Sequence, residues 1–190
     1  MNIYLGAAAG GVMLLSATVA RSAHAVNHMP SQMTCEEFTG LTEVEKPKIV
    51  YWVDGFGKGK MPDSAVEVDK TDKLLPVLIG ECKKTPSETL SMAIRSVAPR
   101  LATASKPTAQ PKRPIEPKPT KMSCDEFIAM DDVVRPKVVY WAEGFDKGGK
   151  AGNSVVDLDA TDRLIPLLVK ECRDTPKLGL WQKLQKLQKH

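Results

Sequence analysis

Histidine is nearly missing from this chain. Three occur in 190 residues, His24, His28 and His190, and all lie near the ends. The interior therefore cannot assemble Ser-His-Asp or Cys-His catalysis, nor the usual imidazole-bearing zinc site. The patterns G-x-G-x-x-G and G-x-x-x-x-G-K-[ST] are also absent, which removes the common nucleotide-binding signatures. Aromatic residues make up only 5% of the chain. The charge has little bias, +4 overall, but that figure averages unlike segments. Residues 33–90 carry 8 basic and 11 acidic side chains, and residues 122–176 carry 7 and 11. Residues 91–121 carry 7 basic and 1 acidic, and the tail 177–190 has four lysines and no acid. Two acidic blocks are thus each followed by a basic stretch.

The N-terminus reads as a secretory signal. Ile3 to Ala20 is an apolar run, and Ala23-His24-Ala25 supplies the small-residue cleavage pattern. The expectation is cleavage after Ala25; the alternative is a retained membrane anchor, although its Gly and Ala content makes a weak span. Either outcome puts residues 26–190 outside the cytoplasm, where disulfides persist.

The blocks are copies of one module. Met33-Thr34-Cys35-Glu36-Glu37-Phe38 recurs as Met122-Ser123-Cys124-Asp125-Glu126-Phe127, and Pro47-Lys48-Ile49-Val50-Tyr51-Trp52 recurs as Pro136-Lys137-Val138-Val139-Tyr140-Trp141. After one inserted residue near Gly148-Gly149, Thr71-Asp72-Lys73-Leu74-Leu75-Pro76 matches Thr161-Asp162-Arg163-Leu164-Ile165-Pro166, and Glu81-Cys82 matches Glu171-Cys172. The sparse aromatics fall as Phe, Tyr, Trp, Phe in both copies, marking two equivalent small cores. Between them, Pro99, Pro107, Pro111, Pro114, Pro117 and Pro119 alternate with Lys, Arg, Ala and Thr, so 98–121 is predicted to be a flexible basic linker. The expected organisation is a signal at 1–25, modules at 33–97 and 122–190, and the linker between.

Each module reads as all-α. Thr34-x-x-Glu37 and Ser123-x-x-Glu126 are capping boxes that open a short first helix. A second helix starts near Pro47 or Pro136, with Ile49, Trp52, Val53 and Phe56 on one face; the β-branched run leaves a strand as the competing assignment. Val66-Glu67-Val68-Asp69 alternates like a strand or loop. A third helix is expected from about Leu75 to Lys83. Thr85-x-x-Glu88 resembles another capping box, for a helix reaching about Val97 whose counterpart spans Leu178 to Lys189. Cores of this size are marginal alone. The cysteines lie 47 and 48 residues apart, and pairing Cys35 with Cys82 and Cys124 with Cys172 would contribute about 4 kcal/mol in the chain-entropy model. A reactive Cys35 or Cys124 at a helix N-terminus is the alternative, without any C-x-x-C partner or His base.

Taken together, these features resemble the HdeA/HdeB family of bacterial periplasmic acid-stress chaperones. The resemblance rests on the secretory signal, the Cys-acidic-Glu-Phe opening, a proline a dozen residues on, and the second cysteine after a proline that opens the last core helix. It covers about 33–90 and 122–180. It implies an all-α fold with one internal disulfide per module, inactive near neutral pH. In acid, family members dissociate, partly unfold and hold denatured clients without nucleotide. Family members carry one module and this chain has two, so modules pairing within the chain or two chains pairing as a homodimer are both open.

The residues also support an acid switch. Glu37 and Glu126 cap helices, a setting that favours the ionised form; Glu67 and Asp157, ahead of the third helix, join them as candidate pH-responsive carboxylates. At about pH 2 the mature chain would carry about +29, which opens a small bundle by self-repulsion while a disulfide limits the opening. Trp52, Phe56 and Leu75, with Trp141, Phe145 and Ile165, are the candidate client-binding residues, core or interface at neutral pH. No catalytic residue, metal, cofactor or nucleic acid is called for; the pair Asp125–Glu126 is an ordinary helix start rather than an acid/base pair. The second reading is a constitutive envelope protein. Its basic linker (Lys112, Arg113, Lys118, Lys121) and amphipathic tail (Trp181 to Leu187) would bind anionic polymer or membrane.

Overall fold

The computed structural model describes residues 27–59, 61, 63–104, 116–148 and 154–189. The signal peptide with its cleavage site, and linker residues Lys112 and Arg113, lie outside the described residues.

Each module is four helices. Module 1 has α1 (Cys35–Gly40), α2 (Glu45–Lys58), α3 (Val68–Cys82) and α4 (Leu90–Ala104); module 2 has α5 (Cys124–Ile128), α6 (Arg135–Lys147), α7 (Leu158–Asp174) and α8 (Leu180–Leu187). The two-residue strands β1 (Asn27–His28) and β2 (Val156–Asp157) pair antiparallel. The second element of each module is helical, as the i, i+3, i+4, i+7 spacing demands, not a strand. Trp52 and Trp141 on these helices are fully buried, as are Phe38, Phe127, Leu78 and Leu168.

Both disulfides form, Cys35–Cys82 and Cys124–Cys172, each tying the start of a module's first helix to the far end of its third. Main-chain bonds close the fourth helix onto the first: Cys35 N–H donates to Glu88 O and Leu90 N–H to Met33 O, and likewise Cys124 to Leu178 and Leu180 to Met122.

Three boundaries differ from the sequence reading. The third helices begin at Val68 and Leu158, well before Leu75. Pro76 and Pro166 are helix-interior residues rather than helix starts, and both are exposed. Buried Thr71 and Thr161 continue the apolar face ahead of them, so packing overrides the helix-breaking tendency of proline. Second, Thr85-x-x-Glu88 is a turn, not a capping box: the Thr85 hydroxyl donates back to Glu81 O, and the cap is Thr89, whose Oγ1 accepts from Met92 N–H. Third, α4 continues through Pro99 to Ala104, seven residues into the stretch predicted as linker, while α8 is shorter than predicted.

The modules pack on each other through α2 and α6. A Cβ at Gly55 would strike the Trp141 carbonyl, one at Gly144 the Trp52 carbonyl, and Gly59 lies against Gly148. Glycine is required there because backbone meets backbone. Each module's leading segment crosses to the other: β1 pairs with β2 of module 2, and Val66 N–H of module 1 donates to Pro117 O.

Candidate functional site

The shared α2–α6 face is where repeated residues meet in reciprocal pairs. Tyr51 of α2 reaches Asp72 on α3, its hydroxyl donating to Asp72 Oδ1 at 2.8 Å. The same carboxylate receives Lys137 Nζ from module 2 at 2.5 Å. Module 2 mirrors this: Tyr140 donates to Asp162 at 2.8 Å, and Asp162 receives Lys48 Nζ from module 1 at 2.5 Å. Each lysine also lies 5.7 Å from the centroid of the tyrosine ring in the module it reaches, within cation–π range. Burial, then the neighbouring aspartate, pushes both phenols up, so they stay protonated donors. Two Lys–Asp–Tyr clasps therefore flank the glycine–tryptophan contact.

The symmetry breaks at one point. Trp141 Nε1 donates to Asp54 Oδ2 at 2.8 Å. Glu143 stands where Asp54 stands in module 1, but it accepts from Thr161 Oγ1 at 2.6 Å. Trp52 Nε1 is left buried with no partner among the described residues. Burial pushes the Glu143 carboxyl above its ordinary value, against the Thr161 bond and Lys147, with Asp157 and Asp146 adding to the rise.

The four predicted carboxylates sit at helix entries, not in the clasps. Glu37 accepts from Thr34 N–H at 2.7 Å and its hydroxyl at 3.0 Å; Glu126 accepts from Ser123 N–H at 2.8 Å and its hydroxyl at 2.7 Å. These bonds hold both below the ordinary glutamate value. Glu67 is pushed up by partial burial, but Lys70 and Lys58 outweigh that and the net direction is down. Asp157 caps α7, accepting from Ala160 N–H at 2.9 Å. A box missed in the sequence, Thr42-x-x-Glu45, guards the entry to α2: Thr42 N–H and hydroxyl each donate to Glu45 at 2.8 Å, lowering its value.

Of the apolar candidates, Trp52 stacks on Phe56 and Trp141 on Phe145, at 5.2 and 5.1 Å between centroids. Trp181 of α8 meets the edge of Phe145 at 5.7 Å. Leu75 and Ile165 are half-buried on the third helices, packed against the core; Ile165 lines an open groove with Pro166, Val169 and Arg135. The tail helix buries Leu180 and Leu184 in module 2, so its apolar face is core. Among the described residues no group of His, Cys, Asp and Glu could hold a metal ion, and no helix is long and apolar enough to cross a membrane. Sequence reasoning missed the clasps, although Tyr51, Asp72 and Lys48 and their counterparts all lie in repeated motifs.

Comparison with known proteins agrees with the duplication. The model of the HdeA/HdeB family matches twice, at residues 8–92 and 89–182. Proteins named probable acid stress chaperone HdeA from Brucella canis and Brucella abortus are 41% identical to this chain over 68 residues, and one from Brucella ovis is 31% identical over 68 residues. Each alignment covers 36% of this chain and 60% of the relative. No solved structure matches the chain. With the family model matched over both copies and each copy carrying its own buried disulfide, this chain belongs to the HdeA/HdeB family as a tandem pair of modules.

Proposed function

We propose that this protein is an acid-activated, ATP-independent chaperone of the periplasm that opens at low pH and holds acid-denatured proteins against aggregation. The observation that carries this reading is the α2–α6 seam, where buried tryptophans are enclosed between two clasps that each depend on an aspartate. Each clasp is an attraction of carboxylate to lysine, Asp72 to Lys137 and Asp162 to Lys48, a kind of contact that acid weakens.

The helix entries act in the same direction. Glu37, Glu45, Glu67 and Glu126 have lowered values in the folded chain. A carboxylate of this kind supports the fold above its unfolded value, and the support is lost as pH falls through the lower folded value. The switch therefore combines lost clasps, lost caps and a charge of about +29 on the mature chain. The disulfides keep each opened module from unravelling fully. Trp52, Phe56, Trp141 and Phe145 become the surface that takes apolar client segments, and the charge keeps the complex soluble. The relatives' printed name, probable acid stress chaperone, supports the same reading.

The test is suppression of aggregation of an acid-denatured protein by the full chain, disulfides intact, at about pH 2 and at pH 7. Protection in acid alone is expected. No protection at about pH 2 rejects the proposal.

A further inference from the structure

The two modules are closed by unlike means. In module 1 the fourth helix seals the bundle with Leu90, Ala93 and Val97, all fully buried. In module 2 the residue at the Ala93 position is Lys183, whose side chain is only 10% exposed. Its Nζ lies 3.0 Å from Glu171 Oε2 on α7. Module 1 also has an ion pair between these helices, Arg100 with Glu81 at 3.7 Å, but the Arg100 side chain is 66% exposed and keeps its water when the glutamate is neutralised. Lys183 is more enclosed, its side chain being 10% exposed at the position where the other module has buried Ala93.

The groups around α8 add to the contrast. Lys170 and Lys186 face Glu171 besides Lys183, Asp146 of α6 accepts from Gln185, and Asp125 pairs with Lys177 just ahead of the helix. Glu171 is held below its ordinary value by Lys183, and Asp125 by Ser123 and Lys177, so the pairs stabilise the closed helix while the carboxylates are ionised. Helix α8 has 8 residues against 15 in α4, so it lies along its bundle over a shorter length.

We propose that α8 is an acid-released latch that opens module 2 ahead of module 1, and that the cleft it leaves, floored by α7 and Phe145, takes the first apolar segments of acid-denatured clients. The client part of this inference rests on the chaperone reading above; the order of opening does not. The hydrogen-bonded Lys183–Glu171 pair also holds the Glu171 carboxyl below its ordinary value, so its support for closure is present at neutral pH and drains as pH falls through that value.

Hydrogen exchange on the full oxidised chain, corrected for intrinsic rate and read at stepped pH, tests the order. Amides of α8 should lose protection at higher pH than those of α4. Glu171→Gln should move the α8 loss toward neutral pH with α4 unmoved, and Lys183→Leu should bring α8 down to the pH of α4. Simultaneous loss in the wild-type chain, or a gap unchanged in both variants, overturns the latch. Aggregation assays at the same pH steps separate the two readings. Early α8 release with no client held at any pH supports the latch and rejects the chaperone; client holding with no α8 lead does the reverse.

Discussion

Replacing both clasp aspartates by asparagine isolates the charge from everything else the seam contains. The side-chain amides introduced at positions 72 and 162 would keep an oxygen to accept the Tyr51 and Tyr140 hydroxyls, which now donate at 2.8 Å. What the variant loses is the attraction to Lys137 and Lys48, each 2.5 Å away. The aspartate side chains are 45% exposed, so each pair is worth about 1 kcal/mol after solvent screening. The two sites share no partner, so the losses add to about 2 kcal/mol, roughly 30-fold on the closing equilibrium between the modules. Asp72→Asn with Asp162→Asn should therefore raise the pH at which the modules separate. Trp52 and Trp141 are fully buried, and their emission across a pH titration reports separation. Acid weakens carboxylate–lysine attraction in general, so the gap between the two curves should narrow as pH falls. An unchanged midpoint would refute the clasp. A difference that does not narrow toward acid would also refute it, because lost packing rather than lost charge would then be the cause.

Other perturbations probe the remaining parts. Gly144→Ala places a Cβ against the Trp52 carbonyl, an overpacking expected to cost about 1–3 kcal/mol; small-angle scattering at pH 7 should show the modules parted or loosened. Glu143→Gln should act opposite to the clasp variants. The raised value of Glu143 means its ionised form burdens the folded state at neutral pH and that burden lifts as pH falls, so the urea midpoint should rise at pH 7 and stay unchanged well below the titration range. Thr34→Ala removes the box around Glu37, with an expected loss of about 1 kcal/mol that shrinks in acid, read by thermal melting at both pH values. Reducing both disulfides should remove about 4 kcal/mol per module in the chain-entropy model, lowering the melting temperature at pH 7.

Much of the fold was legible because it depends on local chemistry said twice. Cys35 and Cys124 open helices behind Thr34 and Ser123, and their partners stand at matching distances on helices with a clear apolar face. The early start of the third helices was not legible, since four alternating residues fit a strand and a helix turn equally well, and Pro76 argues locally for a helix start that Thr71 and Leu74 override by burial. The capping role of Glu37 and Glu126 was readable from spacing. The clasps were not, because Lys48 meets Asp162 across 114 residues of sequence, and nothing local marks a lysine as reaching into another module. Gly55 and Gly144 offered the one usable hint, a glycine kept inside an apolar helix in both copies. Lys183 offered none, because in sequence it reads as one more charge on a basic tail.

The central claim is that acid opening of the modules, beginning at α8 and completed by their separation at the α2–α6 seam, creates the client-binding state. A single titration of the full chain from pH 7 to about pH 2 tests it, following tryptophan emission and protection of an acid-denatured protein in the same samples. The account predicts that protection appears as the buried tryptophans are uncovered and vanishes on return to neutral pH. Protection while the modules remain closed, or full separation without protection, would contradict it.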